Sequence, residues 1–151
     1  MVTGAFKILI ILIYILKIST SDILNIISDD KALALFKIIA STNDNNNNDS
    51  STLRTKTVLT RKTRHSIVSS FIKAGLIKRT KDGNYSLTSF GKVIYEAQRI
   101  VEDATNNYYW KLKVIDSAQL SKEISREEYT MLVDSLIDNQ KVKEIIATGR
   151  F

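Results

Sequence analysis

Hydrophobic positions recur at helical spacing over much of this chain. Between Lys31 and Ala40, apolar residues such as Leu35 and Ile39 fall on one side of a helix. Ser28 or Asp29, just before this stretch, can accept hydrogen bonds from the free amides at a helix start. The pattern therefore predicts a capped helix here, and the asparagine-rich segment 42–51 that follows predicts a solvated loop.

The stretch from Arg61 to Ala74 is helical in pattern, and its two faces differ in character. Val68 and Phe71 share one face with Gly75 at about 100° per residue. Thr60 suits the N-cap of this helix, and Gly75 suits the position just after its end. The opposite face is polar, cationic and free of carboxylates, and it comprises Lys62, Ser66, Ser69 and Lys73, with Arg61 and His65 on its flanks.

A β-hairpin is predicted directly after this basic helix. Two short β-prone runs, 76–81 and 84–88, flank Asp82-Gly83, and this dipeptide is a strong hairpin signal. The hairpin carries three further cations on its first strand and tip: Lys78, Arg79 and Lys81. Because 51–57 can form a short helix before the basic one, the order of elements is typical of a winged helix-turn-helix.

A long helix is predicted from Ser89, with Thr88 as its cap. A heptad-like apolar seam runs along it through Phe90, Ile94, Ala97, Val101, Ala104 and Tyr108, and continues to Leu112 and Ile115. Asn106-Asn107 can interrupt this helix. The seam either covers the core of its own domain or forms a dimer interface. We expect a homodimer through the helix around Phe90–Ile115, with Tyr109 and Trp110 in or beside the interface.

The remaining C-terminal sequence predicts two more helices. Ser125 and Glu128 form a capping box before an apolar face that includes Leu132 and Leu136. Val142 and the following isoleucines predict a last short helix. The chain is therefore expected to be mainly α with a small β-hairpin wing, an α+β winged helix-turn-helix with extra C-terminal helices.

The apolar run Ala5–Ile18 has several interpretations. It holds twelve apolar residues and two lysines, whereas a membrane-spanning helix needs about 20 apolar residues. It also lacks the cleavage site of a signal peptide. We favour a helix that packs on the domain or in a dimer interface. Membrane contact and residues added by an upstream start codon remain as alternatives, and the isoleucines would also suit a strand.

Composition and charge narrow the class of partner. The chain has 151 residues, 44% of them hydrophobic, which is enough for a core, and it has no cysteine for disulfides or thiolate metal sites. Its formal net charge is +6. Ten basic residues and one acid lie between Leu53 and Lys92, so this stretch carries +9 and the rest of the chain −3. Such a distribution favours a polyanionic partner.

Catalytic chemistry finds little support in the sequence. His65 is the sole histidine, and the adjacent Ser66 would point about 100° away from it on a helix, so we interpret His65 as a surface donor. No phosphate-binding glycine loop, zinc-protease motif or calcium loop occurs. We therefore expect no enzyme activity, no catalytic residues, no cofactor and no metal.

The segment from Leu59 to Gln98 resembles predicted archaeal winged-helix transcriptional regulators of the MarR and ArsR type. The resembling motifs are LTRK at 59–62, AGLIKR at 74–79, GNYSLTSFGK at 83–92 and YEAQ at 95–98. The resemblance implies a regulator, whereas charge and periodicity alone imply a nucleic-acid-binding surface.

These observations lead to one expectation: a cytoplasmic, dimeric, winged-helix transcriptional regulator that binds double-stranded DNA in a sequence-specific way. Residues 1–21 would form an apolar N-terminal segment, 22–104 the DNA-binding domain and 105–151 a helical dimerisation or packing region. The alternative is a winged-helix protein–protein adaptor, membrane-associated through residues 5–18. The expected DNA contacts are Arg61, Lys62, His65, Ser66, Ser69 and Lys73 on the helix, and Lys78, Arg79 and Lys81 on the hairpin.

Overall fold

A computed structural model describes residues 3–15, 18–41, 53, 57–121 and 123–148, without the side chains of 11–15 and 148. In these residues the fold is mainly helical with one small antiparallel sheet, as the sequence predicts. The helices are α1 (Gly4–Ile15), α2 (Thr20–Ile27), α3 (Asp30–Ser41), α4 (Arg61–Lys73), α5 (Ser89–Asn106), α6 (Tyr109–Leu120), α7 (Arg126–Leu136) and α8 (Gln140–Thr148), and the strands are β1 (Ile77–Arg79) and β2 (Tyr85–Leu87). The chain forms two compact units, Met1–Tyr95 and Glu96–Phe151.

The N-terminal apolar run divides into two parts. Helix α1 ends at Ile15, and Ile18 packs instead against the core of the first unit. Ser19 then caps α2, because its hydroxyl accepts from the Asp22 amide at 3.1 Å while the Asp22 carboxylate accepts from the Ser19 amide at 3.1 Å. Sequence reasoning missed α2, although this reciprocal cap was its signal. Among the described helices, none is long and apolar enough to cross a bilayer.

Helix α3 forms where the sequence predicts it and supplies most of the first core. Asp29 caps it by accepting from the amides of Lys31 and Ala32, both at 3.0 Å. Phe36 packs at 5.4 Å, centroid to centroid, against the Phe71 ring of α4. Leu53 is buried in the same cluster. The predicted loop 42–51 and most of the predicted short helix 51–57 lie outside the described residues.

The second unit has its own core, and this core takes the C-terminal part of the predicted seam. Helix α5 ends at Asn106, so Asn106-Asn107 does interrupt the helix. Tyr108 and Ile115 are buried in the second cluster and Leu112 packs against it. Ser125 begins α7 with the predicted capping box. The last predicted helix is α8, whose Val142 is buried in the same core.

The part of the seam that lies on α5 has a different environment. Phe90, Ala97 and Val101 are exposed on one side of α5, and Val93 is exposed beside them. Only Ile94 of the predicted seam packs into the first core. The seam is therefore not one continuous surface. It consists of an exposed stripe on α5 and a buried patch in the second unit.

Candidate nucleic-acid interface

Both ends of helix α4 are fixed by local hydrogen bonds of the kind the sequence predicts. Thr60 caps the start, where its hydroxyl accepts from the Thr63 amide at 3.2 Å. At the other end Gly75 has a φ of 72°, and its amide donates to the Ile72 carbonyl at 3.0 Å. The Leu76 amide donates to the Phe71 carbonyl at 2.9 Å. These two bonds form a Schellman motif, which ends the helix and turns the chain into β1.

The outer face of α4 is the polar and cationic one. Val68 and Phe71 are buried, so the helix is held by its apolar side. Ser69 is partly buried. The remaining expected contact residues on this helix are exposed: Arg61, Lys62, His65, Ser66 and Lys73. The structure thus presents these predicted side chains to solvent together.

Arg64 shows that the charge of α4 is not all on that face. Its side chain is partly buried on the side of Val68, and its Nη1 donates to the Leu59 carbonyl at 3.5 Å. Its sequence position, four residues before Val68, explains this inward placement. Ile72, by contrast, is exposed, so one apolar side chain borders the cationic face. Ile72 was not predicted from the sequence to be part of this surface.

The hairpin is built around three loop residues, 81–83. Its strands pair Ile77 with Leu87, Lys78 with Ser86 and Arg79 with Tyr85. The Thr80 amide donates to the Asn84 carbonyl at 2.7 Å and the Gly83 amide to the Thr80 carbonyl at 3.0 Å. Gly83 has a φ of 81°, which glycine adopts without strain. Asp82-Gly83 therefore lies in the turn as predicted, but as the last two residues of a three-residue loop.

The three hairpin cations lie on the outside of this turn. Ile77 and Leu87 are buried, and Lys78, Arg79 and Lys81 are exposed. The Arg79 Nε donates to the Gly83 carbonyl at 3.4 Å, so its guanidinium folds over the turn. Arg79 therefore supports the loop and also presents its charge at the tip.

Thr88 joins the end of α4, the base of the hairpin and the start of α5. Its hydroxyl bonds to the carbonyls of Gly75 and Leu76, and its amide donates to the Leu76 carbonyl at 3.0 Å. The same hydroxyl accepts from the Gly91 amide at 2.9 Å, which caps α5 as predicted. A Cβ built on Gly91 would lie 1.9 Å from the Leu76 carbonyl oxygen. Only glycine allows this close approach, and sequence reasoning did not identify it.

The cations of α4 and of the hairpin have no acidic partners among the described residues. The ion pairs that the structure describes lie in the second unit, where Glu96 pairs with Lys141 at 2.7 Å and Asp134 with Lys143 at 2.9 Å. Asp82 is exposed at the hairpin tip. Helix α4 also contacts β1. The structure therefore holds six unpaired cations on two adjoining elements: Arg61, Lys62, Lys73, Lys78, Arg79 and Lys81.

Metal chemistry has no candidate in this region. Within the described ranges, no group of three or more histidine or carboxylate side chains is placed to hold a metal ion.

No protein-family model, curated protein or solved structure matches the chain.

Proposed function

We propose that this chain binds double-stranded DNA through α4 and the β1–β2 hairpin, in the manner of a winged helix-turn-helix regulator. The observation that carries the proposal is the set of six exposed, unpaired cations on these two elements. Long cationic side chains bind DNA by neutralising phosphates and releasing counterions. This surface carries six cations and, among the described residues of α4 and the hairpin, one acid, Asp82, so its charge suits a polyanion such as DNA.

The shape of the surface also supports a duplex as the ligand. A helix fits the major groove of B-DNA, which is about 12 Å wide. Helix α4 is held through Val68 and Phe71, so its opposite face is free to enter a groove. Ser66 and Ser69 on that face are short, which permits close approach to base edges. In this arrangement the hairpin beside α4 contacts the DNA backbone with Lys78, Arg79 and Lys81.

We further propose that the regulator acts as a homodimer through α5. Phe90, Val93, Ala97 and Val101 form an exposed apolar stripe along this helix. Their spacing of three, four and four residues places them on one side of the helix, as a helix–helix contact requires. This replaces the longer predicted seam as the basis for dimerisation, because Tyr108 and Ile115 are already buried in the second unit.

The decisive test is a double charge reversal on α4, Arg61→Glu with Lys62→Glu. We expect at least about a tenfold loss of affinity for duplex DNA, since two cations become acids in the proposed groove contact. With six phosphate contacts, the parent should show a log–log salt slope of about −5 per protomer, and the variant a slope about 2 units shallower. Electrophoretic mobility shift or fluorescence anisotropy at several salt concentrations gives both values.

A matched control separates position from net charge. Lys31→Glu with Arg126→Glu reverses two exposed cations on α3 and α7, which are not part of α4 or the hairpin, and like the test variant it lowers the net charge from +6 to +2. It should keep most of the DNA affinity. If both double variants lose affinity equally, or if the folded α4 variant binds duplex as tightly as the parent, the assignment is wrong. Retained circular dichroism shows that the variants are folded.

A further inference from the structure

We propose that α1 is an anchor that inserts into the surface of bilayers with anionic headgroups. This inference does not depend on the proposed DNA binding. Every described side chain from Thr3 to Ile10 is exposed. The large apolar ones, Phe6, Ile8, Leu9 and Ile10, are between 46% and 61% exposed, and none belongs to the first core cluster. A helix this apolar, with its described side chains in solvent, requires an apolar partner.

The width of the apolar surface favours lipid over another helix. At 100° per residue, Ala5, Phe6, Ile8, Leu9 and Ile10 cover an arc of roughly 200° around α1. A helix–helix seam uses a much narrower stripe. Among residues 5–10, Lys7 is the one that falls on the remaining arc, and every other residue of α1 from Ala5 to Ile15 is apolar. Hydrocarbon can surround the whole apolar arc while a single lysine reaches to the headgroups, whereas one partner helix would leave most of the arc exposed.

Charge identifies the kind of lipid surface. The first 21 residues contain two charged side chains, Lys7 and Lys17, and no acid. If two copies of this segment paired, each lysine could meet only another lysine. Anionic headgroups would neutralise both lysines instead. This complementarity is why we assign an anionic bilayer, and not a second copy of the chain, as the partner.

Length determines how the helix lies. Helix α1 has 12 residues, which at 1.5 Å per residue extend about 18 Å. The hydrocarbon core of a bilayer is about 30 Å thick. The helix is therefore suited to the interface between headgroups and acyl chains.

The experiment measures binding of the full chain to vesicles of phosphatidylcholine with about a third phosphatidylglycerol. The sequence has no cysteine, so Leu9→Cys carries a single environment-sensitive fluorophore. We expect co-sedimentation with the vesicles and a blue shift of the fluorophore as it leaves water. Ile8→Asp with Ile10→Asp should lower the partition coefficient about tenfold or more. Leu120→Asp with Met131→Asp, at two exposed apolar positions elsewhere, is the matched control and should bind like the parent.

The cationic surface of α4 can also attract anionic vesicles, so Arg61→Glu with Lys62→Glu is measured alongside. Retention of the blue shift in this variant supports α1 as the anchor, and its loss with α1 intact overturns the proposal. Failure of the parent to bind vesicles, or equal binding by the Ile8→Asp/Ile10→Asp variant, also overturns it. So does a lipid-free oligomer that the Ile8→Asp/Ile10→Asp change dissociates while vesicle binding is unaffected, because the partner would then be a second copy.

Discussion

Substituting alanine at Gly91 tests whether the joint at Thr88 holds the hairpin in place. The new Cβ would lie 1.9 Å from the Leu76 carbonyl oxygen and 2.9 Å from its carbon. An ordinary carbon–oxygen contact is about 3.3 Å, so the two backbones must separate by about 1.4 Å. Because the obstacle is backbone, no side-chain rotation relieves it. This movement stretches the two hydrogen bonds from Thr88 to the Leu76 carbonyl, which are 3.0 and 3.2 Å long.

The energetic cost follows from these contacts. Overpacking of this kind costs about 1–3 kcal/mol, and each weakened hydrogen bond contributes about 1 kcal/mol of the same loss. The higher helix propensity of alanine relative to glycine offsets at most about 1 kcal/mol of this cost. We therefore expect Gly91→Ala to lower the free energy of unfolding by about 2 kcal/mol, which shifts the urea midpoint by about 1–2 M.

Urea unfolding followed by circular dichroism measures this shift. Gly4→Ala is the control, because a Cβ there meets no atom within 4 Å, and it should change stability by less than about 0.5 kcal/mol. A Gly91→Ala protein that unfolds at the parent urea concentration would refute the close approach. An equal loss in Gly4→Ala would show that the effect is not specific to the joint.

Three further predictions concern other parts of the chain. Gly75→Ala should lower the free energy of unfolding by about 1 kcal/mol in urea, because Gly75 has a positive φ, and Gly75→Asn should lower it less. Equal losses in the two variants would show that the backbone conformation at residue 75 is not the cause. Val93→Asp with Val101→Asp should give a monomer in sedimentation equilibrium, while an unchanged mass would exclude the α5 stripe as the dimer contact. The Tyr108 hydroxyl donates to Asp138 and holds the pKa of that carboxyl below its ordinary value of 3.8. The pair therefore stabilises the fold above about pH 4, and this stabilisation is lost as the pH falls below 3.8 through the lowered pKa of Asp138. In Tyr108→Phe, the free energy of unfolding should consequently fall less between pH 7 and pH 3, as urea unfolding at the two pH values would show.

Sequence reasoning succeeded where the signal is local. The caps at Thr60, Thr88 and Ser125 involve residues within three positions of one another, and the structure confirms all three. Gly75 is recognisable because few other residues adopt a positive φ at a helix end. The outer face of α4 also follows from periodicity, since burial of Val68 and Phe71 fixes which side chains point to solvent.

Features that depend on distant parts of the chain could not be read in this way. The need for glycine at position 91 arises from the Leu76 backbone, fifteen residues away. The predicted seam is split because Tyr108 and Ile115 are buried in one cluster with residues of α7 and α8. The spacing of apolar residues within the seam gives no sign of these contacts. Helix α2 was missed for another reason: its capping pair, Ser19 and Asp22, follows so closely on an apolar run that the run obscured it.

The lack of acidic partners around α4 and the hairpin has a consequence for the unbound protein. Like charges on one surface repel each other, and among the described residues of α4 and the hairpin only Asp82 is an acid that offsets part of that repulsion. Dissolved salt screens it, because at 0.1 M the Debye length is only about 10 Å. Added electrolyte should therefore raise the free energy of unfolding of the unbound protein while it lowers the affinity for a polyanion. Stability and binding thus respond to ionic strength with opposite signs.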